Sequence, residues 1–86
     1  SERELSVQSL AARFAAKEAL VKAVGKAKGL SFQGVTIAKD IEGKPFFELS
    51  GETKETIKSH GISRLHLSLS HDGNMAVAYV VAEVAN

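Results

Sequence analysis

The sequence predicts a small α+β fold, in which a mainly antiparallel sheet packs on one long helix. Three observations carry this. A glycine- and proline-free, alanine- and leucine-rich stretch runs from Val7 to Val24, which is strong helix chemistry. Leu65, Leu67 and Leu69 alternate with His66, Ser68 and Ser70, the period of a half-buried strand. Turn residues separate two pairs of extended segments, giving the order helix, hairpin, helix, hairpin. At 86 residues the chain has room for one domain, residues 1–86, with one modest core. Four strands and one good helix exceed the minimum for an independently stable sheet by little, and domains this short often gain stability by oligomerising.

Ser1-Glu2-Arg3-Glu4 fits a capping box with serine at the N-cap and glutamate three residues on, and is expected to open a single helical turn. A second start at Ser6 leads into the long helix, Val7 to Val24, which Gly25 ends as a C′ glycine. The basic loop Lys26-Ala27-Lys28-Gly29 follows; it is read as a solvated linker rather than a phosphate cradle. Val35 to Ala38 is expected to be a strand, Asp40-Ile41-Glu42-Gly43 a turn, and Pro45 to Leu49 the returning strand. A polar helix, Glu52 to Ser59, is closed by Gly61. The alternating strand around Leu67 then meets Asp72-Gly73, a strong two-residue hairpin signal.

The last strand, Met75 to Val84, departs from the half-buried pattern. Met75, Val77, Tyr79 and Val81 fall on one face, and Ala76, Ala78, Val80 and Ala82 on the other. Two apolar faces require cover on both sides, and in so small a domain another subunit is a natural source of the second.

Composition excludes several functions. Eleven Lys and Arg against ten Asp and Glu, with aromatics at 6% and no tryptophan, give neither a basic footprint nor a stacking platform for nucleic acid. The absence of cysteine excludes disulfides and thiolate metal sites, and no pair of histidines has zinc-ligand spacing with a third partner. The longest apolar run, Met75 to Val81, is too short to span a bilayer. The charged start carries no signal-peptide pattern, so a soluble cytoplasmic protein is expected.

The long helix holds the first sign of chemistry. With Phe14 as the origin of a helical wheel advancing about 100° per residue, Val7, Leu10, Ala11, Phe14 and Val21 share an apolar arc, the expected core face. Glu18 falls in its middle and Lys22 at its edge. A carboxylate in an apolar stripe is costly unless paired or bound to a cation. Spacing alone allows either an ordinary Glu18–Lys22 ion pair or a site in which Glu18 binds a hard cation and Lys22 a phosphate beside it, suited to phosphoryl transfer. His71, beside a turn, reads from its position as an exposed polar residue; His60 and His66 are assigned to the surface.

Arg13-Phe14-Ala15-Ala16-Lys17-Glu18-Ala19-Leu20-Val21-Lys22-Ala23 closely resembles the signature helix of the holo-acyl-carrier-protein synthases, the short trimeric type of phosphopantetheinyl transferase. Leu67-Ser68-Leu69-Ser70-His71 resembles that family's second motif, and Gly43-Lys44-Pro45 its short G-K-P element, all in the family's order. The resemblance implies a magnesium-dependent enzyme of fatty acid biosynthesis that transfers phosphopantetheine from coenzyme A to a serine of apo-acyl-carrier protein, acting as a homotrimer with sites between subunits. It implies that Glu18 is a magnesium ligand and that Lys22 contacts the coenzyme A pyrophosphate, the two forming the catalytic pair. Arg13, Gly43, Lys44, Pro45, Ser70 and His71 would help bind the coenzyme's nucleotide end.

The chain departs from the family at its start. The opening strand with its G-hydrophobic-D motif, source of the family's second magnesium ligand, is not in this sequence, and no aspartate precedes Asp40. The domain is therefore read as N-terminally incomplete, and these residues alone as catalytically poor. Two alternatives are a non-catalytic coenzyme A-binding or structural α+β domain, and the terminal transferase domain of a larger fatty acid or polyketide synthase.

Overall fold

The computed structural model describes residues 5–6, 10–25 and 32–85. The elements are β1 (Leu5–Ser6), α1 (Leu10–Val24), a single 3-10 turn (Phe32–Gly34), β2 (Val35–Lys39), β3 (Pro45–Leu49), α2 (Gly51–Ser59), β4 (Ile62–Asp72) and β5 (Met75–Val84). The α+β fold is as expected from the sequence, but the strands form two antiparallel sheets rather than one, β1-β2-β3 and β4-β5. The expected turn over Ser1–Glu4 and the basic loop at 26–29 lie outside the described residues. Ser6 does not open the helix: it pairs with Ala38 in a short edge strand, a pairing too brief to leave a periodic signal.

Helix α1 ends at Gly25, whose φ of 91° only glycine adopts freely and whose N–H donates to the Val21 carbonyl at 2.8 Å. Its core face differs from the apolar arc drawn from the sequence. Ala12, Ala16 and Leu20 are buried, whereas Leu10 is 73% and Phe14 58% exposed. The reason lies in what the helix rests on. The row of β5 that packs towards the core is Ala76, Ala78 and Val80, and small side chains on both partners let helix and strand approach closely. A wheel weighted by hydrophobicity favours Phe14; close packing favours alanine.

In the first sheet Val35 pairs with Leu49 and Ile37 with Phe47, placing all four on the core side, where Val35 and Ile37 are buried. The β2–β3 turn is organised by Asp40. Its Oδ1 accepts from the backbone N–H groups of Glu42 and Lys44, each at 2.9 Å, as aspartate does at turns. Helix α2 buries Thr53, Thr56 and Ile57 and closes with the His60 ring donating from Nδ1 to the Thr56 carbonyl at 2.8 Å.

The 3-10 turn meets α2 at Gly34. A Cβ there would lie 2.5 Å from Thr53 Oγ1 and 2.8 Å from the Ser50 carbonyl oxygen, and Thr53 is itself buried. The clash is with backbone as well as side chain, so Gly34→Ala is expected to cost about 1–3 kcal/mol. A lowered urea midpoint at unchanged slope checks this.

Strands β4 and β5 form a long hairpin whose turn residues are Gly73 and Asn74, with Asp72 paired to Met75. Only Gly73 takes positive φ, 63°, the requirement of a II′ rather than an I′ turn, so the turn sits one residue beyond the Asp72-Gly73 position expected. Leu65, Leu67 and Leu69 of β4 face the core with Ala76, Ala78 and Val80. The outer row of β5 is uncovered: Met75 is 70%, Val77 44%, Tyr79 69% and Val81 59% exposed. Among the described residues the last strand is therefore covered on one face only.

On that outer face His66 and Glu83 form a solvent-exposed ion pair. The hydrogen bond from His66 holds the Glu83 carboxyl below its ordinary value of 4.5; desolvation opposes this, and the charges of His66 and Arg64 assist. A depressed carboxylate favours the fold above the unfolded value, and that support fades as pH falls through the folded one. In His66→Gln the Glu83 carboxyl should titrate closer to 4.5, as carboxylate-resolved NMR would read.

Candidate active site

Helix geometry places Glu18 and Lys22 one turn apart on α1, both exposed. Among the described residues neither has a hydrogen bond or ion pair, and they are not paired with each other. The ordinary ion pair that spacing allowed is therefore not formed. A carboxylate and an ammonium stand side by side with their bonding capacity directed to solvent.

Arg13, about a turn and a half earlier, is half-buried, and its Nε is fully buried with no hydrogen-bond partner among the described residues. A buried guanidinium N–H left unmet is costly and marks a place where an acceptor from outside this chain would be stabilised. Arg13 lines a hollow of about 550 Å³ with Leu10, Ala11, Phe14 and Lys17. The helical wheel places Phe14 on the core face and Arg13 with Lys17 as an i, i+4 couple further round, on a wetter face. Nothing in hydrophobic periodicity distinguishes an apolar residue facing the core from one lining an outer hollow.

The remaining candidates sit on both sheets. Gly43 and Lys44 form the end of the β2–β3 turn and Pro45 begins β3. Gly43 takes φ 86° and its N–H donates to the Asp40 carbonyl at 2.9 Å, while exposed Lys44 Nζ lies 3.9 Å from Glu42. Ser70 and His71 are exposed at the end of β4, paired with Val77 and Ala76. Helix α1 packs chiefly on β5 and less on β4 and β2. The hollow beside Arg13 takes in none of Glu18, Lys22, the Gly43-Lys44-Pro45 turn, Ser70 or His71. Among the described residues these candidates thus stand on separate elements.

Glu18 suits a hard cation: it is an exposed oxygen donor without a competing partner. No group of three His, Asp or Glu side chains that could hold a metal occurs among the described residues, so a cage built wholly from them is excluded. One carboxylate with phosphate oxygens and water is, however, an ordinary magnesium environment.

The ACPS profile, 4'-phosphopantetheinyl transferase superfamily, matches residues 1–80. The chain belongs to this superfamily. It is 47% identical over 83 residues to the holo-[acyl-carrier-protein] synthase of Clavibacter sepedonicus, covering 96% of this chain and 70% of that protein. With the corresponding enzyme of Salinispora arenicola it shares 53% identity over 78 residues, covering 91% of this chain and 64% of that one. Among solved structures, the holo-[acyl-carrier-protein] synthase of Neisseria meningitidis superposes with a TM-score of 0.80 at 43% identity, over 86% of this chain and 61% of that one. That of Helicobacter pylori, in complex with coenzyme A, superposes with a TM-score of 0.71 at 40% identity, over 85% and 63%. This superfamily member thus spans about two thirds of the length of its relatives. The fold and family expected from the signature helix are both as found, and no helix among the described residues is long and apolar enough to cross a membrane.

Proposed function

We propose that the protein transfers phosphopantetheine from coenzyme A to a serine of apo-acyl-carrier protein, in the cytoplasm and in the service of fatty acid biosynthesis. The observation that carries this reading is the unpaired Glu18–Lys22 couple on the outer face of the family's signature helix. The naming of the relatives as holo-[acyl-carrier-protein] synthases, and the coenzyme A held by the H. pylori enzyme, support the substrate pair. Residues 1–86 belong to a single transferase domain that is N-terminally incomplete in this sequence.

In the reaction, the carrier serine gives up its hydroxyl proton to solvent water as its oxygen forms a bond to the β-phosphorus of coenzyme A. The bond from that phosphorus to the bridging oxygen breaks, and the nucleoside bisphosphate leaves. Glu18 would hold a magnesium ion, which when bound would supply neutralisation of the pyrophosphate charge. Lys22 holds the pyrophosphate and stabilises the negative charge growing on the leaving oxygen. Arg13 offers its unmet Nε–H to an acceptor on the nucleotide end, joined by Lys44 on the turn set by Gly43 and Pro45 and by Ser70 and His71 on β4. These groups lie on different elements of one chain, which favours a site completed by a second copy, and the protein is proposed to act as a homotrimer.

The test is the intact mass of apo-carrier protein incubated with coenzyme A and magnesium, with and without chelator. A chelator-sensitive gain of one phosphopantetheine is expected. Absence of any gain, both from this chain and from a version carrying the additional N-terminal length of its relatives, would leave a coenzyme A-binding or structural domain.

A further inference from the structure

A second hollow, of about 500 Å³, lies away from the signature helix, between β3, α2 and the start of β4. Its floor is apolar, formed by Phe47, Leu49, Ile57, Ile62 and Leu65, and its rim carries Lys54, Lys58 and Arg64, with no acidic residue among the described residues that line it. The hollow has a structural cause. β3 and β4 are neighbours that do not pair, since each belongs to a different sheet. Between Ile62 and Arg64 the ladder with β5 slips by one residue, leaving Ser63 as a bulge whose hydroxyl donates to the Glu83 carbonyl at 3.3 Å. A bulge bends its strand and re-aims the side chains beside it. Here Ser63 and Arg64 are both exposed in succession, breaking the alternation that resumes at Leu65. The wedge opened by the split sheets is roofed by α2, whose Lys54 and Lys58 stand one turn apart.

Lys54 and Lys58 have no hydrogen bond or ion pair among the described residues, and Arg64, whose charge acts on the cross-strand Glu83 carboxylate, has no hydrogen bond or close ion pair. Like charges one turn apart on a helix oppose each other, so an anion between them would relieve a repulsion as well as gain attraction. A concavity of several hundred Å³ with an apolar floor and few convergent charges is the usual form of a small-molecule site. We infer that this hollow binds an anionic amphiphile: an aliphatic chain lying on Phe47, Leu49 and Leu65, with its terminal carboxylate held by Lys54, Lys58 and Arg64. This site shares no residue with the proposed active site and does not depend on that reading.

The test titrates the isotope-labelled chain with dodecanoate, kept below its micelle concentration, by two-dimensional NMR. Saturable shifts are expected at the amides of Leu49, Ile57, Ser63 and Leu65, with no comparable response at Met75, Val77 and Tyr79. The triple variant Lys54→Gln/Lys58→Gln/Arg64→Gln changes only exposed side chains; it should keep the spectrum of the fold and bind at least about 10-fold more weakly, as loss of charge-assisted hydrogen bonds requires. Dodecyltrimethylammonium, with the same chain and the opposite charge, should not compete. Equal binding by that cation, unchanged affinity in the triple variant, or shifts confined to the Met75–Val81 row would each overturn the inference.

Discussion

In a version carrying the additional N-terminal length of its relatives, replacing Glu18 by glutamine is expected to lower the proposed magnesium-dependent transfer at least about 100-fold while leaving the fold intact. The two halves of that expectation have separate causes. Glutamine and glutamate have nearly equal helix propensity, and Glu18 is exposed with no partner among the described residues. Its neutralisation removes no packing and strands no buried group, so the stability change should stay within about 0.5 kcal/mol. The chemistry is another matter. Removing a single preorganised charge contact at a phosphoryl or acyl centre typically costs on the order of 100- to 1000-fold in turnover. Lys22→Gln tests the same couple from its other side: it should raise KM for coenzyme A as well as lower kcat, because a group holding the pyrophosphate acts in both ground and transition states. A Glu18→Gln protein that melts like the parent and turns over at a normal rate would remove Glu18 from the mechanism.

The sequence made the local chemistry of this fold legible where one residue type decides the conformation. Gly25 and Gly61 stop their helices with φ of 91° and 76°, and the strand and turn assignments from Val35 to Leu49 hold because Asp40 and Gly43 dictate the turn. Residues whose fate depends on distant partners were less legible. Phe14 reads as core because it shares one arc of the helical wheel with Val7, Leu10, Ala11 and Val21. Whether a helix packs through Phe14 or through Ala12 and Ala16 depends on the size of the side chains opposite, and those lie more than sixty residues away on β5. β1 was missed because two residues carry no period. The split into two sheets was missed because antiparallel strands read alike whether or not they pair, and the Ser63 bulge left no composition cue. At the candidate site, identity was legible and assembly was not. The motif helix named Glu18 and Lys22, but no local pattern says whether they meet Lys44 and His71 within one chain or across two.

That question has its own decisive variant. Val81→Asp is expected to convert the proposed homotrimer into monomers and to abolish most transfer, without unfolding the chain. The outer row of β5 places Met75, Val77, Tyr79 and Val81 side by side in solvent, a contiguous apolar strip of the kind that marks an interface. Burying a side chain of this size contributes about 1.5–3 kcal/mol, and a closed three-fold ring would bury the strip in every subunit. An aspartate in that strip would bring an unpaired carboxylate into each contact, at a cost of several kcal/mol, enough to dissociate the assembly at micromolar concentration. The same aspartate in an isolated chain sits in water, because the row that supports the fold is Ala76, Ala78 and Val80 on the opposite face. Light scattering after size exclusion would therefore report monomers whose far-ultraviolet dichroism matches the parent. Loss of activity together with loss of assembly would tie Glu18 on one subunit to nucleotide-binding residues on another. A parent chain that is already monomeric and active at tens of micromolar would sink the shared site and leave the exposed strip for a different partner.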